Sequence, residues 1–215
     1  MEFGLAFSFP FKDPDWMKKI LIIGLVSLIP IVGPFVLMGW ILKITKNVID
    51  HNPNALPDLE FGADLKHGFM MLVIGFAYSL PLSIFGGIFA AITAFIDPNS
   101  SSGGGILLAL IACFTIFALV YGILLAFLLP AAYGNYAAKD SLGAAFKIGE
   151  LFGLIKAAPV AYLMVILGSI IGGFIASLGI IACIVGVIFT AVYGSAISGH
   201  LYGQAYNKAI ESRRF

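Results

Sequence analysis

Trp16-Met-Lys-Lys-Ile-Leu-Ile-Ile-Gly-Leu-Val-Ser-Leu-Ile-Pro30-Ile-Val-Gly33-Pro34-Phe-Val-Leu-Met-Gly-Trp-Ile-Leu-Lys43-Ile-Thr-Lys-Asn47 decides how the rest of the chain is arranged. No charge falls between Lys19 and Lys43, so the stretch belongs in lipid. Pro30, Gly33 and Pro34 stand at its midpoint, where each proline removes a backbone donor and crowds the preceding turn. Either the stretch crosses a membrane once with a kink, or these three residues are the hinge of a hairpin.

The composition around it sets the class. With 60% hydrophobic and 11% charged residues and a mean hydropathy of +1.04, the chain is far more apolar than a soluble domain. Further uncharged runs cover residues 68–96, 98–138 and 157–207, and roughly 20 apolar residues cross a hydrocarbon core of about 30 Å. The last run is long enough for two crossings. A membrane barrel would need apolar and polar residues in alternation, and these runs have none, so the spans are helices that satisfy their own backbone groups.

A net charge of +1 with scattered basic residues gives no reason to expect nucleic acid as a partner. Cys113 and Cys183 each sit inside an apolar run, with no disulfide or metal spacing. The opening residues lack a basic region ahead of an apolar core, which predicts no removable signal peptide; the first apolar stretch targets the chain and stays.

Taken in order, residues 1–15 place Phe3, Phe7, Phe9 and Phe11 beside Lys12, Asp13 and Asp15. They read as a segment in the membrane interface, finished by Trp16 at headgroup depth. Residues 16–48 form a broken helical hairpin, 49–60 a polar loop with two prolines, and 61–67 a short interfacial helix. Residues 66–136 make a second hairpin around the flexible turn 97–105. Residues 139–156 read as an amphipathic surface helix capped by Asp140 or Ser141, and 158–207 as a last hairpin. The expected fold is all-α: a single integral membrane domain of about six membrane helices, arranged as three hairpins with a cytoplasmic amphipathic helix.

The positive-inside rule favours the hairpin over the single crossing. If the 16–48 stretch doubles back, the outward connections are 30–34, 97–105 and about 177–179, and none holds Lys or Arg. Both termini are then cytoplasmic. Each arm is short, about 16 residues or about 24 Å, so the first hairpin is shallow, tilted or re-entrant. Internal echoes agree: Tyr133-Gly-Asn135 precedes Lys139 as Tyr202-Gly-Gln204 precedes Lys208, and Ile31-Val-Gly33 is repeated in Ile184-Val-Gly186.

Small residues recur at every fourth position: Ser79, Ser83, Gly87 and Ala91; Gly168, Gly172 and Ala176; Gly186, Thr190, Gly194 and Ser198; Ser195, Gly199 and Gly203. Such rows let membrane helices approach closely. They predict packing within the chain, with 168–176 the face best suited to a second copy.

Polar residues gather at the ends of two spans: Tyr133, Asn135 and Tyr136 on one, His200, Gln204 and Tyr206 on the other. His200 and Gln204 share a helix face. The group reads as an interhelical hydrogen-bond cluster or, alternatively, as a site for a lipid headgroup or small polar ligand. No carboxylate, Lys or Arg lies within an expected span, and no hydrolase, zinc-peptidase or phosphate-loop motif is present. Asp13 with Asp15, and Asp58, Glu60 and Asp64, read as solvated or capping carboxylates and not as metal ligands. No catalytic residue, cofactor or metal is expected.

The order Phe9-Pro-Phe-Lys-Asp-Pro-Asp-Trp16-Met-Lys-Lys, Ile29-Pro-Ile-Val-Gly33, Leu56-Pro-Asp-Leu-Glu60, Leu129-Pro-Ala-Ala and His200-Leu-Tyr-Gly-Gln204 resembles a family of uncharacterised prokaryotic membrane proteins, domain of unknown function 4013. The resemblance covers nearly the whole chain. It implies a multispan protein of a bacterial or archaeal cytoplasmic membrane and brings no activity and no functional residues. The expectation is a non-enzymatic structural, assembly or partner-binding component, in contact with the lipid bilayer and with a second copy or another membrane protein. A transporter or channel-like protein is the alternative, because the break at 30–34 exposes backbone as discontinuous carrier helices do.

Overall fold

The computed structural model describes all residues except 55, 99, 101, 180–182, 214 and 215, together with the side chains of 183–185. Its α-helices are α1 (Leu5–Ser8), α2 (Trp16–Ser27), α3 (Val32–Ile49), α4 (Phe61–Thr93), α5 (Gly103–Lys139), α6 (Ile148–Ala157), α7 (Pro159–Leu178) and α8 (Cys183–Ser212), and no strand forms among the described residues. Four of them, α3, α4, α5 and α7, are long and apolar enough to cross a membrane. Helix α2 has 12 residues, about 18 Å, and α8 carries His200, Gln204 and Asn207 toward its end.

The 16–47 stretch breaks between α2 and α3 at its expected hinge. Val32 N donates to Pro30 O at 2.8 Å around Ile31, whose φ of 68° and ψ of −57° form a γ-turn of the rarer, strained kind. A β-branched residue is an outlier there. A Cβ on Gly33 would lie 2.6 Å from the Ser27 carbonyl oxygen, so this close turn needs a glycine. Pro34 does not break anything. It stands in the first turn of α3, where backbone N–H groups have no partner inside the helix.

Two other boundaries differ from expectation. Residues 61–67 do not form a separate short helix but run straight into α4. Residues 139–156 are not one helix: α5 ends at Lys139, Asp140 follows with φ of 47°, a 3₁₀ turn forms at Leu142–Phe146, and only then does α6 begin. The break lies ahead of this turn, where Asp140 takes a left-handed φ and Ser141 is extended, with φ of −132° and ψ of 119°.

The chain divides into two compact units, Met1–Ile74 with Phe127–Phe215, and Gly75–Ala126. In the first, α8 is the central element, touched by α1, α2, α3, α6 and α7. Its core joins Phe9, Ile20, Ile23, Trp40, Ile44, Leu56, Val192 and Ala196, so the N-terminal segment and the 50–60 loop are both part of it.

The small-residue rows of the last two helices pack as expected. A Cβ on Gly172 would lie 2.9 Å from Gly194 O, one on Gly199 2.8 Å from Ile41 O, and one on Gly203 2.7 Å from Thr45 O. Gly168 sits against Leu201 and Phe3, and Thr190 Oγ1 donates to Ala176 O at 3.0 Å. The 168–176 face is therefore occupied by α8 within the chain. Thr45 Oγ1, fully buried, donates to Gly199 O at 2.9 Å and ties α3 to α8.

The row in the second unit does not pack. Ser83 and Gly87 are exposed, nothing lies near Gly87, and Ser79 Oγ and Ser83 Oγ bond back to Phe76 O and Ser79 O of their own helix. The contacts are aromatic instead. Phe89 stacks on Phe114 and Phe85 tilts on Phe117, both with centroids 4.7 Å apart, and Tyr121 Oη donates to Tyr78 O at 2.7 Å. Large rings on the neighbouring face bury more area than the serine row can, and they decide the pairing.

Candidate functional site

Residues 1–15, expected to lie along the interface, fold over the polar end of α8. Phe9 stacks on the His200 ring with centroids 4.3 Å apart, and Tyr193 Oη donates to Phe7 O at 2.6 Å. The Gln204 carboxamide grips the Glu2 backbone at both ends: Glu2 N donates to Oε1 at 2.8 Å, and Nε2 donates to Glu2 O at 3.1 Å.

The 50–60 loop is held down from the other side. Lys19 Nζ meets Asp13 Oδ2 at 2.7 Å, Leu56 O at 3.0 Å and Asp58 Oδ1 at 3.4 Å, while Trp40 Nε1 donates to Pro57 O at 2.9 Å. Lys43 Nζ donates to Asp58 O at 2.8 Å and lies 2.9 Å from Asp64 Oδ1. The Asp-Pro-Asp-Trp and Leu-Pro-Asp-Leu-Glu motifs are thus two halves of one ion-paired clasp. Helix α3 enters the loop through His51, whose φ of 54° closes the helix with Asn52 N bonded to Asn47 O at 2.8 Å. Asn207 Nδ2 supplements this cap by donating to Val48 O at 3.0 Å and Ile49 O at 3.3 Å.

Between the N-terminal segment, the loop and α8 lies a cavity of about 480 Å³. Leu5, Phe9, Val48 and Leu56 supply apolar wall, and Lys12, His200, Gln204 and Asn207 supply polar groups. A volume of this order suits a small ligand.

The expected polar cluster separates into two groups on different faces of α8. His200 and Gln204 line the cavity and bond each other at 2.9 Å. Tyr133, Asn135, Tyr136 and Tyr206 do not line it. Tyr133 lies 6.1 Å from Tyr202, ring to ring, and Tyr206 packs against Gly134. Asn135, fully buried, donates from Nδ2 to Ala144 O at 2.9 Å, and Tyr136 Oη sits 3.3 Å from His67 Nδ1. These residues secure the end of α5. Sequence reasoning passed over Asn207 in favour of Tyr206, although 200, 204 and 207 follow the helical period and share a face. Lys12, another cavity residue, was read only as part of an interfacial segment.

Two carboxylates at this polar end are held ionised. Lys139 hydrogen-bonds Glu150 and keeps its carboxyl below the usual range against the opposing effect of burial, and Arg213 Nη2 donates to Glu150 O at 2.9 Å. Burial pushes Asp13 up, but the Lys19 ammonium and the Asp15 N–H together hold it lower than an ordinary aspartate. Both folded values lie below the unfolded ones, so the stabilisation is complete at neutral pH and is lost as pH falls through the folded values. The thermal midpoint in detergent is expected to be flat from neutral pH to about 5 and to drop below about 4, with a shallower drop in Glu150→Gln. An identical drop in that variant would show that Glu150 does not contribute.

A family model described as "Protein of unknown function (DUF4013)" matches residues 22–185. No curated protein and no solved structure matches the chain. The matched residues include the hinge, the ion-paired loop and the four helices able to cross a membrane. The chain therefore belongs to the domain of unknown function 4013 family, as a helical protein with four helices long and apolar enough to cross a membrane.

Proposed function

We propose that this protein is a non-enzymatic, six-span component of a prokaryotic cytoplasmic membrane, made of three helical hairpins with both termini cytoplasmic, that acts in assembly or partner binding. One observation carries the reading: a set of the charged residues that flank the apolar helices is engaged in mutual contacts. The Asp13–Lys19–Asp58 and Lys43–Asp64 contacts link the segments before α2, after α3 and at the start of α4. His67 meets Tyr136, and Glu150 meets both Lys139 and Arg213, which links the ends of α4, α5 and α8. Segments that touch one another lie at one depth, which is what an even number of crossings between them produces, and charges spent on holding segments together serve structure. The exposed Asp58 and Glu60 side chains of the loop and the exposed Ile148 and Phe152 of α6 offer contact surfaces on that side. The transporter reading is weaker, because a route through the first unit would have to join the cavity to Asn135, and Asn135 is enclosed and bonded to Ala144 O.

The test has two parts, in a background with Cys113 and Cys183 replaced by serine. Cysteines at Lys12 and Ser100 are treated with an impermeant maleimide on intact cells; position 100 is expected to react and position 12 only after lysis, and reaction of both from one side would refute the threading. Mild detergent extraction is then expected to recover a membrane-protein partner or a second copy in fixed ratio. Solute flux through the purified protein alone in liposomes would instead establish transport.

A further inference from the structure

The Gln204 carboxamide has only one possible orientation, because the Glu2 N–H can only donate. Oε1 takes that proton, so Nε2 spends its two hydrogens on Glu2 O and on His200 Nδ1. His200 Nδ1 must therefore accept, and the imidazole proton resides on Nε2. The ring is 4% exposed, clamped beneath Phe9 on the cavity wall, and Nε2 has no partner among the described residues. This N–H, held in place by Gln204 and Phe9 and without a protein acceptor among the described residues, is a donor available to a ligand in the cavity.

Lys12 supplies charge beside it. It lines the same cavity, makes no ion pair among the described residues, and its charge acts on the His200 ring. The neighbouring carboxylates are otherwise engaged: Asp13 holds Lys19 and the Asp15 N–H, and Glu211 faces Lys208 at 3.3 Å. Glu2 stays exposed at the rim.

We propose that this cavity binds a single oxyanion group, a phosphate or a carboxylate, with His200 Nε2–H and Lys12 Nζ as its donors. A cation does not fit, because Nε2 could accept only if Nδ1 took the proton and Gln204 lost its bond. One fixed N–H, one ammonium and a carboxylate at the rim suit one oxyanion group and reject a polyanion. The group can belong to a soluble small molecule or to a phospholipid headgroup.

The proposal extends the assembly reading without resting on it, and its test does not depend on threading. Full-length protein in a non-ionic, phosphate-free detergent is titrated with inorganic phosphate and, separately, acetate at constant ionic strength, and binding is read by calorimetry. Saturable binding of at least one is expected. Lys12→Gln is expected to weaken it at least tenfold, and Lys66→Gln, which removes the same charge from an exposed site outside the cavity, is expected to leave it unchanged. Absence of saturable binding, or equal loss in both variants, overturns the proposal. In nanodiscs, competition by phosphatidylglycerol but not by a neutral galactolipid supports the lipid source. Binding unaffected by either supports the soluble one.

Discussion

Gly39→Ala and Gly68→Ala are each expected to cost about 3 kcal/mol of stability or more, the upper end of what overpacking does. A Cβ on Gly39 would overlap the Asp64 carbonyl oxygen and stand 2.7 Å from Asp64 Cα; one on Gly68 would overlap Phe35 O and stand 2.6 Å from its carbonyl carbon. The atoms met are backbone, so no rotamer change relieves the clash. Helices α3 and α4 have to move apart, and the Lys43–Asp64 contact that this crossing aligns at 2.9 Å is stretched with them. Neighbours that are less constrained set the control. Gly87→Ala adds its methyl in open space and is expected to be neutral or to gain up to about 1 kcal/mol from helix propensity. Reversible unfolding in mixed detergent micelles measures all three variants. If Gly39→Ala matched Gly87→Ala, the close crossing of α3 and α4 would be wrong.

That crossing also shows where the sequence could be read and where it could not. The hinge at Pro30 to Pro34 was legible because proline and glycine act locally, through a missing donor and a missing side chain. The rows through Gly172, Gly194, Gly199 and Gly203 were legible because a helical repeat of small residues marks a face whatever it meets. Gly39 and Gly68 carry no such repeat. Each is a lone glycine, and only the encounter of two helices makes them a pair. The same limit explains the converse error at Ser79, Ser83 and Gly87, where a correct repeat is outcompeted by Phe85 and Phe89 on the adjoining face, with ring contacts to Phe117 and Phe114.

The candidate site followed the same division. His200 and Gln204 were found because they lie four apart on one helix. Their partners Glu2, Phe9 and Lys12 come from the far end of the chain, and only the fold of residues 1–12 onto α8 brings them in. Grouping His200 with Tyr133 and Asn135 used depth in the membrane as the criterion. Depth does not say which face of α8 each neighbour occupies.

Asp64→Ala is expected to destabilise the protein by about 3 kcal/mol, the cost of leaving one member of a buried ion pair alone. Asp64 is fully buried, although the sequence presents it as a solvated or capping carboxylate at the start of a short interfacial helix. Its Oδ2 accepts the Glu60 N–H at 2.8 Å at the start of α4, where a negative charge also faces the positive end of the helix. Its Oδ1 lies 2.9 Å from Lys43 Nζ, out of line for a hydrogen bond, so that link is a contact between charges. Truncation removes both effects at once. Lys43 keeps 17% of its side chain exposed and retains its bond to Asp58 O, which keeps the loss near the lower end of the range for buried pairs. The two contributions separate in a cycle. Asp64→Asn preserves an acceptor for the Glu60 N–H while removing the charge, and Lys43→Met removes the cation without disturbing the cap. If the charge contact dominates, Asp64→Asn approaches Asp64→Ala, and the double variant Lys43→Met with Asp64→Leu recovers most of the lost stability, as hydrophobic replacement of a whole buried pair does. If the cap dominates, Asp64→Asn stays near wild type and the double variant recovers nothing. Equal stability of Asp64→Ala and the wild type would mean that neither contact holds α4 to α3, and the ion-paired clasp around the loop would lose its anchor.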